Sequence, residues 1–164
     1  MNSETKTTSH CRGAELVAVA ARWILGGLFI YMGLSKALHP EEFLKLVRQY
    51  NLTESALLLN SVAAALPWFE SFCGLLLLAG IAVRGSALVA IGMLVPFTAI
   101  VLHRALELHS ALAIPFCAVK FDCGCGGGEV FICRKLLENT LLILLSAWLF
   151  AGRGRKWSVR FALF

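Results

Sequence analysis

Four apolar blocks of bilayer-spanning length occupy most of this chain and leave few alternatives to a helical bundle in a membrane. A hydrocarbon core of about 30 Å takes around 20 apolar residues in a helix, and the backbone groups inside it must be satisfied internally. The blocks run over about residues 14–38, 56–83, 86–106 and 134–151, with Pro67 interrupting the second and Pro96 inside the third. Hydrophobic residues make up 59% of the chain and charged residues 15%, against about 45–50% and about 25% in soluble domains. The expectation is an all-α polytopic bundle of four transmembrane helices spanning 14–151. A polar N-terminal tail (1–13) precedes it, a cysteine-rich loop (107–133) joins the third and fourth spans, and a basic tail (152–164) follows. The first block exceeds a signal-peptide core of about 7–15 residues and no small-residue cleavage pattern follows it, so it reads as a retained span.

Between the first two blocks, His39-Pro40-Glu41-Glu42 has the features of a helix start, with proline and acidic residues in the first turn. Phe43, Leu44, Leu46, Val47 and Tyr50 then recur at helical spacing opposite Lys45, Arg48 and Gln49. That pattern predicts a short amphipathic helix in the membrane interface. Four spans put both termini on one side. Lys and Arg counts, which orient membrane proteins, tie between the two sides. Lys6, Arg12, Arg84, Arg153, Arg155, Lys156 and Arg160 lie on one, and Lys36, Lys45, Arg48, Arg104, Lys120, Arg134 and Lys135 on the other. The compact cluster in the C-terminal tail favours cytoplasmic termini in a bacterial inner membrane. The cysteine loop would then face the oxidising periplasm, where disulfides persist. The net charge of +5, gathered at block edges, fits anionic lipid headgroups rather than nucleic acid.

Four of the six cysteines crowd the loop: Cys117, Cys123, Cys125 and Cys133. Cys123-Gly124-Cys125 precedes Gly126-Gly127-Gly128, so this dithiol sits beside a glycine run. Thiol–disulfide exchange needs a thiolate and an accessible disulfide. Lys120 favours a thiolate there and Asp122 opposes it. A Cys123–Cys125 bridge would close a very small ring, and strained bridges are the more readily reduced. Cys117 or Cys133 could instead pair with one of the two and relay a disulfide. Static bridges that pin the loop are a second reading. A metal site is the weakest, because zinc ligands usually follow C-x₂₋₄-C spacing and no histidine lies in the loop core.

Ionisable residues inside a bilayer are costly and tend to find partners and mark function. Lys36 ends the first block, and Glu70 follows Leu66-Pro67-Trp68-Phe69 in the second. Both belong toward the face that carries the cysteine loop, where they could form an ion pair of functional or purely structural value. His103 closes the third block on that side and is a candidate proton relay to a thiol or a quinone; a solvated helix end is the plainer reading. Cys73 reads as a core residue and Cys11 as a reduced cytoplasmic thiol. No phosphate loop, Ser-His-Asp set, dinucleotide fingerprint or internal repeat is present.

The run Gly27-Leu28-Phe29-Ile30-Tyr31-Met32-Gly33-Leu34-Ser35-Lys36, then Leu66-Pro67-Trp68-Phe69-Glu70, then Asp122-Cys123-Gly124-Cys125 before a last span resembles the MauE branch of the DoxX-like membrane proteins. The resemblance implies a four-helix, redox-associated membrane protein. It further implies a part in maturing a periplasmic methylamine dehydrogenase-type enzyme, where disulfides are formed or isomerised, alongside a thioredoxin-like partner. It marks Lys36, Glu70, Cys123 and Cys125 as characteristic, whereas Gly126, Cys117 and Cys133 depart from the family pattern. The leading expectation is therefore a thiol–disulfide redox protein of methylamine metabolism. A membrane quinone is a candidate electron acceptor on membrane location alone. The alternative is a non-catalytic membrane subunit or scaffold of a larger redox complex, with other membrane subunits as partners and its own cysteines in static disulfides.

Overall fold

The computed structural model describes residues 4–50, 55–122 and 128–151, with side chains from Leu16 onward. Cys123 and Cys125 lie outside the described residues, as does the C-terminal tail. The chain is mostly helical: α1 (Glu4–Leu38), α2 (Pro40–Gln49), α3 (Ala56–Ala79), α4 (Val83–Leu112) and α5 (Ile132–Phe150), with a short 3₁₀ turn (Phe116–Ala118) and strands β1 (Lys120–Asp122) and β2 (Glu129–Phe131) before α5. Three stretches are long and apolar enough to cross a membrane: Leu16–Leu38, Ala56–Ala79 and Val83–Leu112. Their outward faces expose Trp23, Phe69, Phe72 and Leu88, a surface suited to lipid. Helix α5 carries Arg134, Lys135 and Glu138 in its first two turns, and it stands apart from those three.

Local chemistry sets the ends of these elements. Ser55 caps α3 by accepting from Leu58 N–H at 3.5 Å. The helix stops at Gly80, whose φ of 74° is left-handed, as glycine permits without strain. Only Ile81 and Ala82 separate that cap from α4. Pro67 and Pro96 lie inside α3 and α4 without ending them. At both prolines a side chain in the following turn bonds back to the helix: Ser71 donates to Pro67 O at 3.0 Å and Thr98 to Leu94 O at 2.7 Å.

Helix α1 packs along α3, and α4 packs along α5. A core of Leu25, Phe29, Leu77, Ala87, Ala90 and Leu149 fills the space between them. The α1–α3 contact depends on glycine. A Cβ at Gly26 would stand 2.8 Å from Gly74 O, one at Gly74 2.6 Å from Gly26 O, and one at Gly33 2.6 Å from Pro67 O. Small residues let helix backbones approach in this way where no hydrophobic effect drives association.

The far end of the bundle departs from the expected long loop over 107–133. Residues 107–112 continue α4, and the described residues beyond it include a 3₁₀ turn and two short strands. Lys120 pairs with Phe131, Phe121 with Val130, and Asp122 with Glu129 in an antiparallel hairpin. Val119 and Ile132 are buried beneath it against Val101 and Ala105. Helix α2 has the amphipathic character expected of it. Its apolar residues Phe43 and Val47 are buried against Ala63 of α3, so its greasy stripe packs on protein.

The glycine contacts carry a test. Replacing Gly33 with valine should destabilise the protein by about 1–3 kcal/mol through overpacking, because two of the obstructing atoms, Pro67 O and Ser71 N, are α3 backbone. Gly27, whose Cβ would meet nothing within 4 Å, should accept the same change with little effect. Thermal unfolding in detergent, comparing the two variants, reads the difference.

Candidate functional site

The close approach at Gly33 positions the charged pair. Side chains on a helix tilt toward its N-terminus. Lys36 on α1 therefore leans back toward the level of Gly33, while Glu70 on the antiparallel α3 leans the opposite way. They meet: Lys36 Nζ donates to both Glu70 oxygens at 2.7 Å. The lysine side chain is 6% exposed and the glutamate 11%. The rings of Phe43 and Phe97 lie 5.4 and 5.9 Å from the ammonium, adding cation–π contacts on otherwise apolar sides.

The cluster extends into α5. Lys135 and Asn139 are buried, one turn apart, and line a cavity of about 20 Å³ together with Lys36 and Glu70. Asn139 donates to Thr98 of α4 at 3.1 Å. Lys135 Nζ lies 3.9 Å from the half-buried Glu138. Lys135 escapes a reading of the sequence because Arg134 and Glu138 beside it resemble a solvated helix end; its spacing from Asn139 is the one signal of an inward face. This cavity has room for about one water molecule and does not fit a quinone ring.

Lys36 also borders a larger cavity. With Ser35, His39, Glu42, Asp122 and Gly128 it lines a second cavity of about 300 Å³. Asp122 and Gly128 are the described residues on either side of the segment that holds Cys123 and Cys125. The described chain thus stops and resumes on either side of that segment at the wall of a cavity that Lys36 also lines.

The remaining candidates fall elsewhere. Cys117 and Cys133 are bonded to each other, with Cα atoms 5.1 Å apart; Cys117 is exposed and Cys133 half-buried. His103 is on the bundle exterior, its side chain 77% exposed and 3.7 Å from Glu107, and it lines neither cavity. Cys73 is a buried free thiol that donates to Ser86 O at 3.2 Å. Among the described residues no group of three or more His, Cys, Asp or Glu could hold a metal ion.

A third cavity, of about 340 Å³, lies between Tyr50 and the hairpin. The Tyr50 phenol is pushed up to about 12, first by burial and then by the negative charge of Asp122, with Arg104 opposing.

Compared with known proteins, residues 14–152 match the family described as methylamine utilisation protein MauE. No curated protein and no solved structure matches the chain.

Two predictions follow from the charges. Lys36→Met leaves Glu70 buried without its partner and should cost about 3–5 kcal/mol, most of which Lys36→Met with Glu70→Leu should restore, since a paired apolar replacement removes the orphaned charge. Unfolding of the two single variants and the double variant measures this cycle. For Tyr50 the folded value lies above the ordinary one near 10, so stability is held below about pH 10 and falls as pH rises toward about 12. Tyr50→Phe should flatten that alkaline loss in a stability–pH series.

Proposed function

The chain belongs to the methylamine utilisation protein MauE family, and from that premise we propose that it exchanges thiols and disulfides at a bacterial inner membrane. Family membership with three apolar helices fits an integral membrane protein associated with methylamine utilisation. The finer reading adds α5 as a fourth span, cytoplasmic termini and a periplasmic cysteine segment. One observation carries it: the cavity lined by Lys36 is also lined by Asp122 and Gly128, the residues that flank the Cys123–Cys125 dithiol.

In this reading a thiolate of the dithiol attacks one sulfur of a partner disulfide, and the other sulfur leaves as a thiolate. The second cysteine then attacks the mixed disulfide. A Cys123–Cys125 bond forms, the partner bond breaks, and two electrons and two protons pass to the partner. The reverse sequence delivers a disulfide. Lys36, held by Glu70, supplies the positive charge that lowers the cost of the attacking thiolate. The Cys117–Cys133 bridge serves as a relay, because attack on the exposed Cys117 sulfur would pass its disulfide to the dithiol. A thioredoxin-like periplasmic protein is the natural partner class, and an amine dehydrogenase subunit rich in disulfides the natural beneficiary.

A second reading has its own support. Cys133 lies in the first turn of α5 and Cys117 in the 3₁₀ turn, near the buried Val119 and Ile132. A bridge there suits a static staple in a scaffold subunit.

Thiol trapping in intact cells with a membrane-impermeant alkylating reagent separates the two. Exchange activity predicts labelling from outside at Cys123 and Cys125, lost in Cys123→Ser and Cys125→Ser, with a redox state that shifts when respiration is inhibited. A fixed oxidised pattern that resists mild reductant would contradict it and leave the scaffold.

A further inference from the structure

The cavities of about 300 and about 340 Å³ adjoin, sharing Leu46 and Asp122 as walls. Joined, they make a groove with α2 along one side and the β-hairpin along the other. Their sizes fall at the lower end of the about 300–1,000 Å³ typical of ligand sites.

Its walls narrow the choice of ligand. Because Phe43 and Val47 anchor α2 to α3, the groove receives Glu42, Leu46 and Gln49, which share one helical face. At the end nearer Tyr50 stand Arg104 and Lys120, with Asp122 between the two cavities. Anionic lipid headgroups are held by clusters of one sign, and an acyl chain needs apolar walls. This groove mixes both signs of charge and an amide with the apolar Phe43, Leu46, Leu108 and Phe121, so its lining is neither of one sign nor wholly apolar. Such a surface complements an extended polypeptide, whose backbone donors and acceptors and mixed side chains meet polar partners along its length.

We propose that the groove between α2 and the hairpin docks an extended, cysteine-bearing segment of the polypeptide whose thiols are exchanged. This rests on the thiol-exchange reading and names its substrate class. Asp122 is both a wall of the groove and the residue before Cys123, so a segment lying there has its own sulfur beside the dithiol. The groove thereby selects unfolded or loop cysteines over those held inside a folded domain.

The test compares two substrates on purified full-length protein in nanodiscs: a synthetic extended peptide carrying one disulfide, and a small organic disulfide. Gln49→Trp, at an exposed position, and Leu46→Trp each fill the groove. The ratio of peptide rate to small-disulfide rate should fall about tenfold or more, the equivalent of about 1.4 kcal/mol of lost binding. A ratio unchanged in both variants, with the wild type reacting with both substrates, overturns the groove and leaves thiol exchange standing. A wild type that reacts with neither substrate overturns thiol exchange and the groove together. Photo-crosslinking of the same peptide to the wild type gives a reading independent of the variants' folding. Adducts on α2 and the hairpin support the site, and adducts confined to other surfaces overturn it.

Discussion

Two opposite charges inside an apolar bundle govern much of this structure. A lysine and a glutamate at bilayer depth are tolerated only when each neutralises the other at close range, and the 2.7 Å contact of Lys36 with Glu70 does so. That contact sets demands on its surroundings. The helices carrying the pair must lie close, which is why Gly26, Gly33 and Gly74 sit where a methyl group would strike backbone. The antiparallel sense of α1 and α3 then turns the two side chains toward each other.

The pair also links two parts of the molecule that are otherwise separate. Inward it joins Lys135 and Asn139 around a small cavity, and Asn139 is held by Thr98, so α1, α3, α4 and α5 all contribute to one polar centre. Outward, Lys36 opens onto the larger cavity beside the cysteine segment. Lys36 therefore belongs both to the inner polar centre and to the wall of the outer cavity, with its ammonium fixed by Glu70. The Cys117–Cys133 bridge and the hairpin hold that wall by tying α5 to the turn after α4.

Some of this was legible in the sequence. Glu70 stands out as the lone charge within its apolar block and Lys36 as one of few in its own, and the spacing of Phe43 and Val47 marks α2 as amphipathic. What α2 packs against was not legible, since the same stripe suits lipid or protein. The hairpin was hidden because three-residue strands around a glycine run leave almost no periodic pattern. Cysteine spacing does not determine pairing, so the bond between Cys117 and Cys133 could not be read from it. Lys135 was concealed by its charged neighbours. His103, by contrast, is a plain exposed helix residue, as its place beside Arg104 and near Glu107 allows.

The central claim is that Lys36, fixed by Glu70, sets the reactivity of the dithiol. The direct measurement is site-resolved alkylation of Cys123 and Cys125 across a pH series, read by mass spectrometry, in the wild type and in the Lys36→Met, Glu70→Leu double variant. The account predicts that the wild-type thiols become reactive at clearly lower pH than those of the variant. Identical profiles in the two proteins, with both folded, would contradict it.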